Sequence, residues 1–353
     1  MDEKLISKKK PSFPISDRLN EYLKKYSRNV RMPVLYDDLL RYSGAIEVFD
    51  KIGEDTLWIR VYYSEFEREE IDRSLKKIYA ILHADGSDVS IPFLNIDAVD
   101  YCTFGNSKPF RIKVRNILND NSTYMYIKKA DASRVYGLEL EHILSPDRIN
   151  FLVYKDTIVE EHIQGIPGDV FISKGYKDFS IRDQKQLSKE FVKFNERCII
   201  RLLGDMRSYN YVIVPTHDFD QVRYRIRAID FDQQCYEGKF KVYMPQFLKE
   251  NYLFVEMVHE NLEEQSINQY KVEERSAISK RILRAHKRIL LLLKCMSKDT
   301  ISAPEKVAQL KTDLLNYTKD VEFKKCTSMG ELLGVAFDFV VRNYESENKS
   351  VIQ

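Results

Sequence analysis

The sequence predicts an α+β chain in which a strand-rich stretch is followed by a mainly helical one. Two patterns predict it. Between about residues 100 and 165, short runs of β-branched and aromatic residues alternate with turn residues, whereas beyond Gly165 apolar residues recur every three or four positions. The first hundred residues mix both patterns and read as an N-terminal α/β extension, so the expected division is 1–100, 101–165 and 166–353.

In the extension, helices are expected near Asp17–Tyr26 and Tyr36–Tyr42. "AIEVFD", "KIGED" and "TLWIRVYYS" read as strand, turn and strand, and a charged helix from about Glu65 to His83 stops at "ADG". Trp58, in mid-strand, reads as core. In the second region "FRIKVRNI" and "TYMYIKKA" flank "LNDNS" as a hairpin, and a short helix follows in "DASRVYGLELEHIL", with Asp131 or Ser133 as its cap. "INFLVY" and "TIVEEHI" bracket "KD" as a second hairpin, and "QGIPGD" is the expected linker. In the third region Leu187, Phe191, Phe194 and Cys198 put one apolar face on a helix near Asp183–Arg201. Ile278, Ile282, Ala285, Ile289, Leu292 and Met296 mark one long buried helix, and "MGELLGVAFDFVVRNY" reads as a last one.

Composition narrows the function classes. A length of 353 residues with 44% hydrophobic residues is enough for about two packed domains. The 56 basic and 54 acidic residues leave a net charge of only +2, so no global field points to nucleic acid or a membrane, and neither is expected as a partner. Five widely spaced cysteines without a C-x-x-C pair read as reduced thiols, and six scattered histidines form no metal-ligand pattern. The start, "MDEKLISKKKPSFPISD", has no apolar segment behind its basic cluster, so no secretory signal is expected. The run "ILLLL" is far too short to span a bilayer, and a cytoplasmic location is the expectation. No G-x-S-x-G occurs, which argues against a Ser-His-Asp hydrolase.

The chemistry-bearing stretch is "RLLGDMRSYNYVIV". Asp205, Arg207 and Asn210 cannot share one helical face, and "YVIV" reads as a strand, so the polar groups belong on a loop between helix and strand. "PTHDFDQ" then turns into "YRIRAIDFDQQ", a second strand ending at Asp230 and Asp232. If the two strands pair, Asp230 returns close to Asn210, and a carboxylate and an amide oxygen together suit Mg²⁺ on phosphates.

This order, D-x-x-x-x-N, strand, turn, strand, D-F-x, resembles the catalytic and metal-binding segments of the protein-kinase-like superfamily. Gly204 before Asp205 and the "IDFD" ending are closest in style to aminoglycoside phosphotransferase-like and atypical kinases. The resemblance covers about residues 100–240 and implies a two-lobed fold, a small antiparallel-sheet lobe and a larger helical lobe, using ATP and Mg²⁺. It implies Asp205 as the base toward the acceptor hydroxyl, Arg207 toward the transferring phosphoryl charge, and Asn210 and Asp230 as metal ligands. "MYIKKA" resembles the strand that presents the nucleotide lysine, so Lys128 is expected on the phosphates, with Lys129 as alternate. Glu139 is expected to pair with that lysine, with Glu141 competing. "TIVEEHIQGIPG" resembles the hinge, where backbone groups of Glu161, His162 and Ile163 would meet an adenine edge. As side chains, Glu160 and Glu161 read as exposed strand charges, and the resemblance implies Asp232 as an outer metal contact.

Leu203 stands where the superfamily carries a histidine, so the brace on the Asp205 loop must come from elsewhere. No G-x-G-x-x-G precedes Lys128; Gly105 in "TFGNSKPF" is the one glycine where a phosphate-covering loop is expected. The short passage after Asp230 lacks A-P-E, which disfavours a regulated protein kinase and leaves a small molecule or a protein as acceptor. The rival expectations are a nucleotide-binding pseudokinase acting as a protein-interaction module and a nucleotidyltransferase on the same cleft.

Overall fold

A computed structural model describes residues 10–50, 52–83, 91–104, 107–173, 179–218 and 221–344. The chain divides into two compact units. One contains Lys9–Asp131 and Ile149–His162, and the other contains Ala132–Arg148 and Ile163–Gln353.

The first unit is built on an antiparallel sheet. Helix α1 (Asp17–Lys25) is capped by the Ser16 hydroxyl, which accepts the Leu19 N–H at 3.2 Å, and the short α2 (Tyr36–Leu39) follows. Then come β1 (Gly44–Phe49), β2 (Asp55–Tyr62), α3 (Glu65–His83), β3 (Leu94–Cys102), β4 (Phe110–Asn116), β5 (Ser122–Lys129), β6 (Phe151–Tyr154) and β7 (Thr157–Glu161). The seven strands lie in the order β1-β2-β3-β4-β5-β7-β6, every neighbour antiparallel.

Alternation along these strands separates two faces. Phe110, Ile112 and Val114 of β4, with Met125 and Ile127 of β5 and Val159 of β7, join Ile71, Leu75, Ile78 and Leu82 of α3 in one core. The intervening residues, Arg111, Lys113 and Arg115 on β4 and Tyr124, Tyr126 and Lys128 on β5, take the other face. There the Arg111 guanidinium lies 4.3 Å from the Trp58 ring centroid and 5.4 Å from that of Tyr124. Trp58 is therefore a half-buried platform for an arginine rather than core. Asp100 binds both flanking arginines, Arg60 and Arg111, each at 2.9 Å.

The boundary expected at residue 100 falls inside β3, which pairs with β2 on one side and β4 on the other. The first hundred residues supply three strands of the common sheet instead of a separate extension. Ladder pairing between strands far apart in sequence is what joins them.

The second unit is mainly helical. It contains α4 (Ala132–Leu144), the two-residue strand β8 (Ile166–Pro167), α5 (Gly168–Ser173), α6 (Ile181–Arg201), β9 (Tyr211–Asp218) and β10 (Gln221–Ala228). These are followed by α7 (Tyr252–Asn261), α8 (Glu264–Arg284), α9 (His286–Met296), α10 (Pro304–Thr318) and α11 (Met329–Tyr344). Strands β9 and β10 form the expected hairpin, with Ala228 opposite Tyr211, and β8 joins its edge. The architecture is thus α+β, an antiparallel-sheet unit and a mainly helical unit.

Two local expectations are corrected. "QGIPGD" is no free linker: Ile166 and Pro167 pair with Ile213 and Val212, and Gly168 opens α5. A Cβ on Gly168 would stand 2.4 Å from both the Ser208 carbonyl oxygen and the Tyr211 ring, so the glycine is there for close packing. The helix expected to run through Ala285 ends there, with Ala285 at φ −99°, and α9 begins at His286. α8 packs on α6 and α11 and α9 on α11, so the periodic apolar pattern spans two helices.

All five cysteines are free thiols. Burial raises Cys198 and Cys235 to about 12. Among the described residues no helix is long and apolar enough to cross a membrane.

Candidate functional site

The last turns of α6 lead into the Asp205 loop through Leu202, which takes the left-handed conformation at φ +52°. The loop is held mainly by backbone. The Cys235 N–H donates to the Leu202 carbonyl at 2.9 Å and the Gly204 N–H to the Gln233 carbonyl at 3.2 Å, so that Leu203 and Gln234 form an isolated antiparallel bridge. A Cβ on Gly204 would meet the Val242 side chain at 2.9 Å, which explains the glycine directly before Asp205. Asp205 itself has φ +59°, a conformation that aspartate tolerates better than most side chains, and its N–H donates to the Val242 carbonyl at 3.2 Å.

The brace that Leu203 cannot supply comes from Asn251. This fully buried amide donates to the Met206 carbonyl at 2.8 Å and the Pro245 carbonyl at 2.9 Å, and accepts from the Tyr211 hydroxyl at 2.9 Å. One side chain thereby ties the loop to the first residue of β9. Sequence reading missed it, because its only signal, a lone asparagine among short helical turns, has no motif around it.

Three expected residues meet here. The Arg207 Nε donates to Asp205 Oδ1 at 2.8 Å and its NH1 to Glu250 Oε1 at 2.8 Å. Asn210 donates its side-chain N–H to the Asp205 carbonyl at 2.8 Å, which turns its amide oxygen the other way. The Ile229 N–H donates to the Asn210 carbonyl at 3.0 Å, so the hairpin delivers Asp230 beside Asn210. Burial pushes the Asp205 carboxyl up to about 6; the Arg207 guanidinium pulls it down, and the charges of Asp230 and Glu250 push it further up.

Arg134 on α4 also reaches this turn. Its NH2 donates to Asp230 Oδ1 and its Nε to Asp232 Oδ1, both at 2.7 Å, and the Asp232 N–H donates to Asp230 Oδ1 at 3.0 Å. The Ser133 hydroxyl donates to the Gln234 carbonyl at 2.7 Å. A Cβ on Gly137 would stand 2.9 Å from the Phe231 Cβ, so α4 lies tight over the "DFDQQ" turn. Asp232, expected as an outer metal contact, pairs with Arg134.

The donor set fits a magnesium ion in part. Asn210 and Asp230 offer hard oxygens, and Mg²⁺ commonly takes only one or two protein ligands and fills the rest with phosphate and water. Among the described residues no group of three or more His, Cys, Asp or Glu is arranged to hold a metal unaided.

The nucleotide residues expected from sequence are partnered differently. Lys128, nearly buried on the polar face of β5, donates to Glu160 Oε2 of β7 at 2.8 Å, with the Tyr126 ring centroid 5.7 Å from its Nζ. Glu139 is fully buried and accepts from Arg288 Nε at 2.6 Å. Glu141 pairs with Arg201 at the end of α6. Lys128 thus has a carboxylate partner within the first unit, and Glu139 a guanidinium partner within the second. The reason is lateral: β7 lies beside β5, which sets Glu160 diagonal to Lys128, and α4 carries Glu139 against the helical unit. Glu160, read as exposed, is buried for the same reason.

The expected hinge coincides with the passage of the chain from the first unit to the second, between His162 and Ile163. The Glu161 N–H already donates to the Asn150 carbonyl at 3.0 Å. His162 Nδ1 lies 3.3 Å from the Tyr126 hydroxyl; burial, and then the nearby Arg111 charge, lower its imidazole from the ordinary value. Ile163 is buried. Lys129 is exposed, 3.8 Å from Asp37. Gly105 lies outside the described residues.

No protein-family model matches this sequence, and no curated protein does. Among solved structures, a Plasmodium kinase domain matches with 11% identity over 75% of this chain and 95% of that one, at a TM-score of 0.26. At that score the likeness carries no argument about fold or function.

Proposed function

We propose that the chain is an ATP- and Mg²⁺-dependent phosphotransferase of protein-kinase-like type, acting on a hydroxyl of a small molecule or protein. The observation that carries this reading is the Asp205–Asn210 loop with Asp230 returned beside it. A carboxylate near neutrality, an arginine and two hard-oxygen ligands are gathered by one loop and one hairpin.

Asp205, with its carboxyl at about 6, is ionised at pH 7 yet basic enough to accept the proton of an incoming hydroxyl. Arg207, held between Asp205 and Glu250, is aimed by both and would meet negative charge that develops on the transferring group. Asn210 and Asp230 would hold Mg²⁺, which supplies charge neutralisation on the phosphates. By the resemblance, Lys128, ordered by Glu160, would meet the α and β phosphates, and His162 with the backbone at Glu161–Ile163 would meet the base.

A second reading, a pseudokinase that binds nucleotide without turnover, is favoured by the Arg288 guanidinium, whose Nε donates to the Glu139 carboxylate expected on the nucleotide lysine. One experiment separates these readings. Full-length protein with Mg²⁺ receives ATP labelled on either the α or the γ phosphate together with acceptors, a panel of small hydroxyl compounds and a cell protein extract, alongside Asp205→Asn, and nucleotide-induced thermal shifts are recorded. Transfer of the γ label, lost in Asp205→Asn with the shift retained, is the expected result. Transfer of the α label means nucleotidyl transfer, a shift without transfer means the pseudokinase, and no shift overturns all three.

A further inference from the structure

Arg134 is not a surface charge that happens to reach a carboxylate. Its side chain is 3% exposed, and one guanidinium holds Asp230 and Asp232 at once, each at 2.7 Å. The helix turn that carries it is fastened to the same segment through Ser133 and Gly137. Asp230 and Asp232 are brought together by the turn itself, since the Asp232 N–H donates to Asp230 Oδ1. Two carboxylates set this way, with one of them shared by an adjacent divalent ion, form the kind of oxygen-rich pair that draws a second divalent cation.

We propose that Arg134 is a resident second cation: it fills the position between Asp230 and Asp232, so that the site takes one divalent ion and not two, and it positions Asp230 toward that ion. The inference rests on the assignment of Asn210 and Asp230 as the metal pair. The planar fork of a guanidinium matches two acceptors in fixed directions, which a mobile ammonium does not. Displacing it with a metal would leave a buried cation without its carboxylates and would require stripping waters that a small divalent ion gives up reluctantly. Arg134 is a positioning residue in this role, acting on the metal site through Asp230.

The test uses Mn²⁺ alone as the probe, titrated into the full-length protein and counted by electron paramagnetic resonance of free and bound ion. Wild type is expected to bind one ion per chain, without the spin coupling of an adjacent pair. Arg134→Gln is expected to bind two, or to hold the first about tenfold more tightly, since a positive neighbour has gone. Arg134→Lys, which keeps the charge, is expected to bind one. Two ions in wild type overturn the inference, as does a single ion in Arg134→Gln held no more tightly than in wild type; both leave the metal pair standing. No binding to any of the three overturns the metal pair and the inference together. Should Arg134→Gln fail to melt cooperatively, the counts for wild type and Arg134→Lys decide, and a second ion in wild type is again the refuting result.

Discussion

Replacing Asn251 by leucine keeps most of the side-chain volume and removes all its hydrogen bonding. Three buried groups lose their partner: the carbonyls of Met206 and Pro245 and the hydroxyl of Tyr211. Leaving a buried polar group unsatisfied costs about 1–3 kcal/mol each, and partial relaxation of the loop lowers the sum, so about 4 kcal/mol is expected. Tyr211→Phe removes only one of the three bonds and should cost about 1–1.5 kcal/mol. Urea denaturation is the assay. With a slope of about 2.5 kcal/mol/M for a unit of this size, the midpoint should fall by about 1.5 M in Asn251→Leu and by about 0.5 M in Tyr211→Phe. Equal shifts in the two variants would refute the idea that Asn251 is the loop's brace. So would a leucine variant within about 0.5 kcal/mol of wild type, since surface changes lie in that range.

The Asp205 carboxyl should titrate near 6 in the metal-free protein, followed by carbon-13 NMR, and Arg207→Met should move it higher, because a cation that favours the ionised form has gone. Its folded value lies above the ordinary 3.8, so its cost to stability is full above about 6 and is relieved as pH falls toward 4; turnover that needs it as a base should fall over the same range. Glu160→Gln should weaken nucleotide binding and lower the melting temperature, as it leaves the buried Lys128 without its carboxylate, whereas Glu139→Gln should destabilise through Arg288 with nucleotide affinity unchanged; calorimetric titration with both variants separates the two. Gly168→Ala should cost at least about 2 kcal/mol by thermal melting, because its Cβ would collide with the Ser208 carbonyl and the Tyr211 ring; a neutral effect would mean that this contact is looser than it stands.

What the sequence determined by itself is local. Alternation in "FRIKVRNI" and "TYMYIKKA" sends Lys128 to the face opposite Ile127, and the hairpin of β9 and β10 returns Asp230 to Asn210, because strand period and a short turn are properties of neighbouring residues. The polar loop from Asp205 to Asn210 was legible for the same reason. The tertiary structure alone decided which distant group stands beside each of these. β7 rather than β6 lies along β5 and gives Lys128 to Glu160; α4 sits over the "DFDQQ" turn and gives Asp230 and Asp232 to Arg134; Asn251 arrives from a short helical turn to brace the loop. Such pairings depend on loop closure over tens of residues and on which apolar face each element buries. Neither leaves a periodic mark on the chain, and so the charges were visible in the sequence while their partners were not.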